Sequence, residues 1–173
     1  MDPPRALQTA DARRRPGRRV TFGPTIEGAL GRIIVPMRTS EVGTLPVSVF
    51  AGDGLIWISP EADLWEITTA LVDADVGALA MGDGDEVTGV VSERDVVRAL
   101  AARLDPSTTK AVDIAHRTLV WCDVDAPVEA VAEEMMVRYV RHVLVEDNGQ
   151  AVGMVSARDL LGAYATADST DGD

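Results

Sequence analysis

The chain has 173 residues, 46% of them apolar, with a formal net charge of −12 and a single cysteine. This length and apolar content suffice for one domain, or for a paired duplication, with a buried core. One cysteine excludes an intrachain disulfide, a CxxC redox pair and a cysteine-built zinc site. The apolar runs are too short for a membrane span and the N-terminus has no apolar signal stretch, so we expect a cytoplasmic protein without membrane contact.

The charge is distributed unevenly along the chain. Residues 1–38 contain eight arginines against three acidic residues, so the net negative charge lies in the remainder. We predict a basic, largely disordered arm and lead-in over residues 1–44 and an acidic tail over residues 168–173. An acidic body does not attract nucleic acid, so such binding is expected only through the arm.

An internal repeat organises the rest of the sequence. GVVSERD at residues 89–95 recurs as GMVSARD at residues 153–159, an offset of 64 positions. The same offset extends without a gap back to the pair Leu55 and Leu119. A repeat of this length indicates two copies of one structural unit, which we predict to span residues 45–104 and 105–167.

Apolar spacing and turn residues predict the elements of the first copy. Leu64, Ile67 and Leu71 lie at i, i+3 and i+7, which predicts a helix with Asp63 as its N-cap. A later Gly-Asp-Gly-Asp run is typical of a tight hairpin between two strands. The predicted order is strand 55–58, a helix from residue 64, strands 78–81 and 87–91, and helix 92–103.

The second copy repeats this order of elements. Asn148-Gly149 is the favoured dipeptide for a two-residue hairpin turn. The predicted elements are strand 119–122, helix 127–138, strands 142–145 and 151–155, and helix 156–165. One such unit can hardly bury its sheet face alone, so we predict a mixed α/β (α+β) fold in which two β-α-β-β-α units pack as a pseudo-two-fold pair.

The repeated segment resembles a known family. The pattern Gly-h-h-[Ser/Thr]-x-x-Asp, in which h is apolar, occurs at residues 89–95 and 153–159 and is similar to the signature of CBS (cystathionine β-synthase) domains. The resemblance implies a tandem CBS pair with a regulatory, non-catalytic role and no obligatory cofactor. It further implies clefts between the two units for AMP, ADP, ATP or S-adenosylmethionine, assembly as a homodimer and a protein partner that responds to the ligand.

The resemblance also implies roles for the repeated polar residues. Asp95 and Asp159 would accept hydrogen bonds from ribose hydroxyls, and Ser92 and Ser156 would donate to ribose or phosphate oxygens. The chemistry is sound, because a carboxylate is an acceptor that suits a vicinal diol and a helix N-terminus offers unpaired N–H groups. An alternative stays open, in which each Ser-x-x-Asp simply caps its helix.

The two copies differ in their cationic residues. The second copy has cations where the first has small or acidic residues, the pairs being His116 with Gly52, Arg117 with Asp53, Arg141 with Gly77, and His142 with Ala78. We therefore predict one nucleotide site of useful affinity and one that is weak, empty or selective for a less charged ligand. Arg94 and Arg158 occupy the same position in the two copies and are candidates either for ligand contact or for pairing with nearby carboxylates. For Arg117 and Arg141 the alternative to ligand contact is that they are solvated surface cations.

Other functions are less well supported by this sequence. The chain has two histidines and no visible catalytic triad, so we predict no catalytic residue. No acidic run has the spacing of a calcium loop. Cys122 aligns with Ile58, which indicates a buried strand position and not a nucleophile. Trp57 and Trp121 are predicted core or dimer contacts. Two rivals to ligand sensing remain, a ligand-independent dimerisation scaffold and a nucleic-acid-associated regulator that uses the basic arm.

Overall fold

A computed structural model describes residues 25–28, 31–34, 39–52 and 54–167. The predictions for residues 1–24 and for the tail 168–173 lie outside the described residues. Contacts divide the chain into two compact units. Among the described residues, the first unit comprises 55–119 and the second comprises 120–167 together with the residues before 55.

The secondary structure follows the predicted order in both copies of the repeat. The strands are β1 (Thr25–Gly28), β2 (Gly31–Ile34), β3 (Trp57–Ile58), β4 (Ala78–Gly82), β5 (Val87–Ser92), β6 (Trp121–Asp123), β7 (His142–Asp147) and β8 (Gln150–Ser156). The helices are α1 (Thr39–Val42), α2 (Leu64–Ala74), α3 (Glu93–Ala101), α4 (Ala111–Ile114), α5 (Val128–Val137) and α6 (Ala157–Ala167), and a 3₁₀ turn spans Val47–Val49.

The first unit is built on a three-stranded sheet. In the order β3-β4-β5, β3 runs parallel to β4 and β4 antiparallel to β5. Helices α2 and α3 pack on this sheet, and their shared core includes Ile58, Ile67 and Leu79, each fully buried. Asp63 caps α2 as predicted, because its carboxylate accepts from Glu66 N at 3.0 Å while Asp63 N donates to the Glu66 carboxylate at 2.9 Å.

The second unit repeats this arrangement with β6-β7-β8, α5 and α6. Its core includes Val128, Val143 and Val155, all essentially inaccessible to solvent. Asn148 and Gly149 form the β7-β8 turn with φ angles of 51° and 79°, the left-handed values that the predicted two-residue hairpin needs. The mixed α/β fold with two such units is thereby confirmed, and β1 and β2 add a small antiparallel hairpin that the sequence did not predict.

Each unit also contains the first residues of the other predicted copy. Residues 105–119, a lead-in segment at the start of the predicted second copy, belong to the first unit, where Val90 N donates to His116 O at 3.0 Å and His116 N donates to Val90 O at 2.9 Å. At the corresponding place in the second unit, Gly52 N donates to Met154 O at 3.3 Å. The lead-in segment at the start of each predicted copy therefore packs in the unit formed mainly by the other copy.

The first glycine of each repeated motif makes room for these lead-in segments. A Cβ atom on Gly153 would lie 2.9 Å from Gly52 O, and one on Gly89 would lie 3.1 Å from the Ala115 Cβ atom and 3.3 Å from His116 O. Such distances are shorter than normal van der Waals contact. Close backbone approach therefore explains why glycine occupies this motif position in both copies.

The two tryptophans of the repeat lie in different environments. Trp57 is buried, with 8% of its surface exposed, as expected for a core residue, whereas Trp121 is 37% exposed. In the described residues, no helix is long and apolar enough to cross a membrane.

Candidate functional site

Both repeated motifs lie where a strand passes directly into a helix. Ser92 ends β5 and Asp95 lies in the first turn of α3, which we call the first junction. Ser156 ends β8 and Asp159 lies in the first turn of α6, which we call the second junction. The predicted serine and aspartate candidates are thus brought together in each copy.

The serine and aspartate of each junction are hydrogen bonded in the same way. Asp95 Oδ2 accepts from Ser92 N at 2.9 Å and from Ser92 Oγ at 2.6 Å. Asp159 Oδ2 accepts from Ser156 N and Oγ at the same two distances. Each aspartate therefore secures the start of its helix, as the capping interpretation predicts, and uses one carboxylate oxygen to do so.

The other carboxylate oxygen of the first junction is also engaged. His116 Nε2 donates to Asp95 Oδ1 at 2.9 Å, and Arg98 Nη1 lies 3.7 Å from the same oxygen. The Asp95 side chain is only 4% exposed, whereas those of His116 and Arg98 are 61% and 62% exposed. Asp95 is thus a buried acceptor whose two oxygens both have partners within the protein.

The second junction leaves its aspartate in a different state. Asp159 is exposed, and among the described residues Ser156 supplies the hydrogen bonds of its carboxylate, all of them to Oδ2. The positions that correspond to His116 and Arg98 are Gly52 and Gly162, which have no side chain to reach it. Asp159 Oδ1 is therefore available to a ligand.

The structure corrects one part of the sequence prediction. The sequence assigns His116 and Arg117, together with Arg141 and His142, to the second copy. His116 instead contacts Asp95 in the first unit, and Arg117 is an exposed residue of that same unit. The reason is that the backbone of His116 pairs with Val90 of β5, although His116 lies within the predicted second copy.

The remaining cationic candidates of the second copy do lie beside the second junction. His142 pairs in register with Ser156 across β7 and β8, where the first copy has Ala78 opposite Ser92. Arg141 O accepts from Ala157 N, the first amide of α6, at 2.9 Å, and the Arg141 residue itself is exposed. The backbone at the start of α6 therefore holds both residues close to the junction serine.

Arg94 and Arg158 follow the junction serines by two positions and are both exposed. In the part of the chain that the structure describes, neither forms a salt bridge within 4.0 Å, so the predicted pairing with nearby carboxylates is not seen. Sequence reasoning missed Arg98 as a partner of Asp95. The i, i+3 spacing of these two residues on a helix was the signal that could have revealed it.

An open pocket of about 270 Å³ lies next to Asp95 in the first unit. It is lined by Asp95, Arg98, Ala99, Ala102, Leu104, Ile114 and His116. Ligand pockets typically enclose about 300–1,000 Å³, so this one is small for a nucleotide.

Metal and thiol chemistry among the described residues would depend on the metal-ligating side chains and the single cysteine. No three His, Cys, Asp or Glu side chains among them are grouped as a metal site. The Cys122 thiol donates to Leu144 O at 3.6 Å, and burial, with the nearby charges of Asp123 and Glu146, raises its pKa to about 11. Cys122 therefore stays protonated at neutral pH, which suits the predicted role of a small apolar strand residue.

The two copies of the repeat match a known family across most of their length. The CBS domain family matches residues 47–102 and again residues 111–166. The chain belongs to the CBS domain family. It is thus a tandem CBS domain pair, and the resemblance seen in its sequence is confirmed.

Individual proteins are similar to this chain over much of its length. Hypoxic response protein 1 of Mycobacterium tuberculosis is 35% identical over 88 residues, which cover 50% of this chain and 62% of that relative's length. A CBS domain protein of Pyrobaculum aerophilum, solved in complex with AMP, is 31% identical with a TM-score of 0.65, covering 72% of this chain and 97% of that one. Hypoxic Response Protein I, solved with two coordinated zinc ions, is 28% identical with a TM-score of 0.57 over 67% of this chain and 96% of that one.

Proposed function

We propose that this CBS domain pair is a non-catalytic regulatory module that binds an adenosine-containing ligand, namely AMP, ADP, ATP or S-adenosylmethionine. The observation that carries the proposal is the exposed carboxylate of Asp159, which retains one oxygen for a ligand at the N-terminus of α6. In the Pyrobaculum aerophilum relative, solved with AMP, the same fold accommodates such a ligand.

The second junction offers complementary groups for each part of a nucleotide. Asp159 Oδ1 suits the vicinal hydroxyls of a ribose, because a carboxylate only accepts hydrogen bonds. Arg141 and Arg158 are exposed cations beside the start of α6, where the helix dipole also favours a phosphate. A hydrogen bond to a charged group contributes about 1.5–3 kcal/mol, which is roughly tenfold or more in affinity.

Ligand binding would act by stabilising one conformation of the protein. A partner that recognises this conformation would then bind more tightly when the ligand is present, and by linkage the ligand would bind more tightly when the partner is present. Assembly as a homodimer in the cytoplasm and the existence of a protein partner form part of the proposal.

A thermal-shift screen tests the function directly. Folded protein, freed of copurified nucleotide, is heated with AMP, ADP, ATP or S-adenosylmethionine, and a ligand at about a hundredfold over Kd should add about 2.7 kcal/mol of stability. Asp159→Asn should lose this stabilisation, and Glu133→Gln, which removes an exposed charge from α5, should keep it. If none of the four ligands shifts the melting temperature, the ligand-independent scaffold becomes the better description.

A further inference from the structure

The two junctions share a motif but differ at one position of the lead-in segment that lies against each. In the first unit this position is His116, and in the second unit it is Gly52. We propose that His116 determines where an adenosyl ligand binds, because its imidazole closes the first junction and restricts binding to one site per chain. This inference rests on the proposed function.

Both carboxylate oxygens of Asp95 already accept hydrogen bonds from the protein. Its Oδ2 atom accepts from Ser92 N and Oγ, and its Oδ1 atom accepts from His116 Nε2 and lies near Arg98. A ribose diol would have to displace the imidazole to reach this carboxylate. At Asp159 no side chain of a described residue has to be displaced from Oδ1 by the diol, because Ser156 uses only Oδ2.

The backbone holds His116 beside Asp95. His116 exchanges two hydrogen bonds with Val90, at 2.9 and 3.0 Å, so its Cα atom is held against β5. The side chain can leave Asp95 only by breaking a 2.9 Å hydrogen bond to a buried carboxylate. Loss of that bond would leave Asp95 Oδ1 without its nearest partner, which is costly for a buried charge.

Asp95 and His116 also line a small pocket of the first unit. It measures about 270 Å³, and its lining combines three polar residues, Asp95, Arg98 and His116, with apolar residues of α3, of the segment that follows it and of the lead-in segment. Removal of the imidazole would enlarge this space and leave Asp95 Oδ1 facing it without its nearest partner. The first junction thus has an apolar wall and a carboxylate, as an adenosine site requires, with a histidine between ligand and acceptor.

A reciprocal exchange of the two lead-in residues tests the proposal by isothermal titration calorimetry with AMP. Wild-type protein should bind one AMP per chain, and His116→Gly should bind two. Gly52→His should weaken AMP binding at the second junction by about tenfold or more. A Cβ atom on Gly52 would have its nearest neighbour at 3.9 Å, so the second variant should fold.

Matched variants separate the imidazole from other effects. Gly52→Ala adds only a methyl group and should bind AMP as the wild type does, and His116→Gln keeps a side-chain donor at the reach of Nε2 and should stay at one AMP per chain. Two AMP molecules per wild-type chain, or unchanged binding in Gly52→His, would overturn the role of His116. Should His116→Gly not fold, the Gly52→His result decides, and absence of AMP binding in every protein would overturn the proposed function itself.

Discussion

The first and second junctions have the same serine and aspartate, the same backbone and the same hydrogen bonds to Oδ2, yet their aspartates differ. Asp95 is buried and shared between His116 and Arg98, whereas Asp159 is exposed and contacted only by Ser156 among the described residues. The motif itself is therefore not the site. What surrounds the motif decides whether its aspartate stabilises the protein or is free to accept a ligand.

The largest expected difference between the two junctions is in stability. Asp95→Ala removes a buried acceptor and leaves the donors of Ser92 without their partner, so we expect a loss of about 3 kcal/mol. Asp159→Ala removes an exposed helix cap and should cost about 1 kcal/mol. Urea unfolding of the two variants measures the difference, and equal losses would contradict the structural role of Asp95.

The partner of Asp95 should show a smaller effect on stability. His116→Ala deletes one hydrogen bond to a buried carboxylate, and we expect the free energy of unfolding to fall by about 1.5 kcal/mol. Gly52→Ala, at the matching position of the other unit, should change it by less than about 0.5 kcal/mol. Equal urea midpoints for wild type and His116→Ala would show that this hydrogen bond contributes nothing measurable to the free energy of unfolding.

The cations beside the second junction should affect ligand choice. Arg158→Ala should weaken ATP binding by about fivefold, equal to about 1 kcal/mol, and S-adenosylmethionine binding by less, because only ATP has phosphates. Arg94→Ala is the control, since Arg94 occupies the same place at the first junction. A titration in which both variants weaken ATP equally would remove the distinction between the junctions.

The smallest effect concerns the ends of the matching helices α2 and α5. Asp75 and Tyr139 both have left-handed backbone angles, with φ of 52° and 56°, but an aspartate tolerates this conformation better than a bulky aromatic residue. Tyr139 is also 88% exposed. Tyr139→Asn should therefore raise the free energy of unfolding by about 0.5 kcal/mol, seen as a higher melting temperature, and Asp75→Asn should leave it nearly unchanged.

Local signals explain why much of the fold could be predicted. The Asp63 cap and the Asn148-Gly149 turn depend on residues within a few positions of each other, and their backbone preferences are strong. The predicted strands began two residues before β3 and β6. The chain is already strand-like there, since Ile56 O and Val120 O accept hydrogen bonds from the neighbouring strands although these residues lie outside the ladders. These differences leave the order and pairing of the elements unchanged.

The surroundings of the two aspartates could not be predicted in the same way. His116 lies 21 positions from Asp95 and within the predicted second copy, so its place in the sequence suggested the wrong unit. Its docking on β5 depends on backbone hydrogen bonds that almost any residue can make. Nothing in the side chains of residues 105–119 therefore indicated which sheet they would join.

By itself the sequence determined the repeat, the order of strands and helices in each unit, the family and the serine and aspartate of both junctions. These follow from periodicity, turn chemistry and a motif, all of which are local. Only the tertiary structure decided that Asp95 is buried against His116 and Arg98 while Asp159 is exposed. Burial and hydrogen-bond partners depend on which distant segments pack together, and a motif shared by both copies contains no information about that packing.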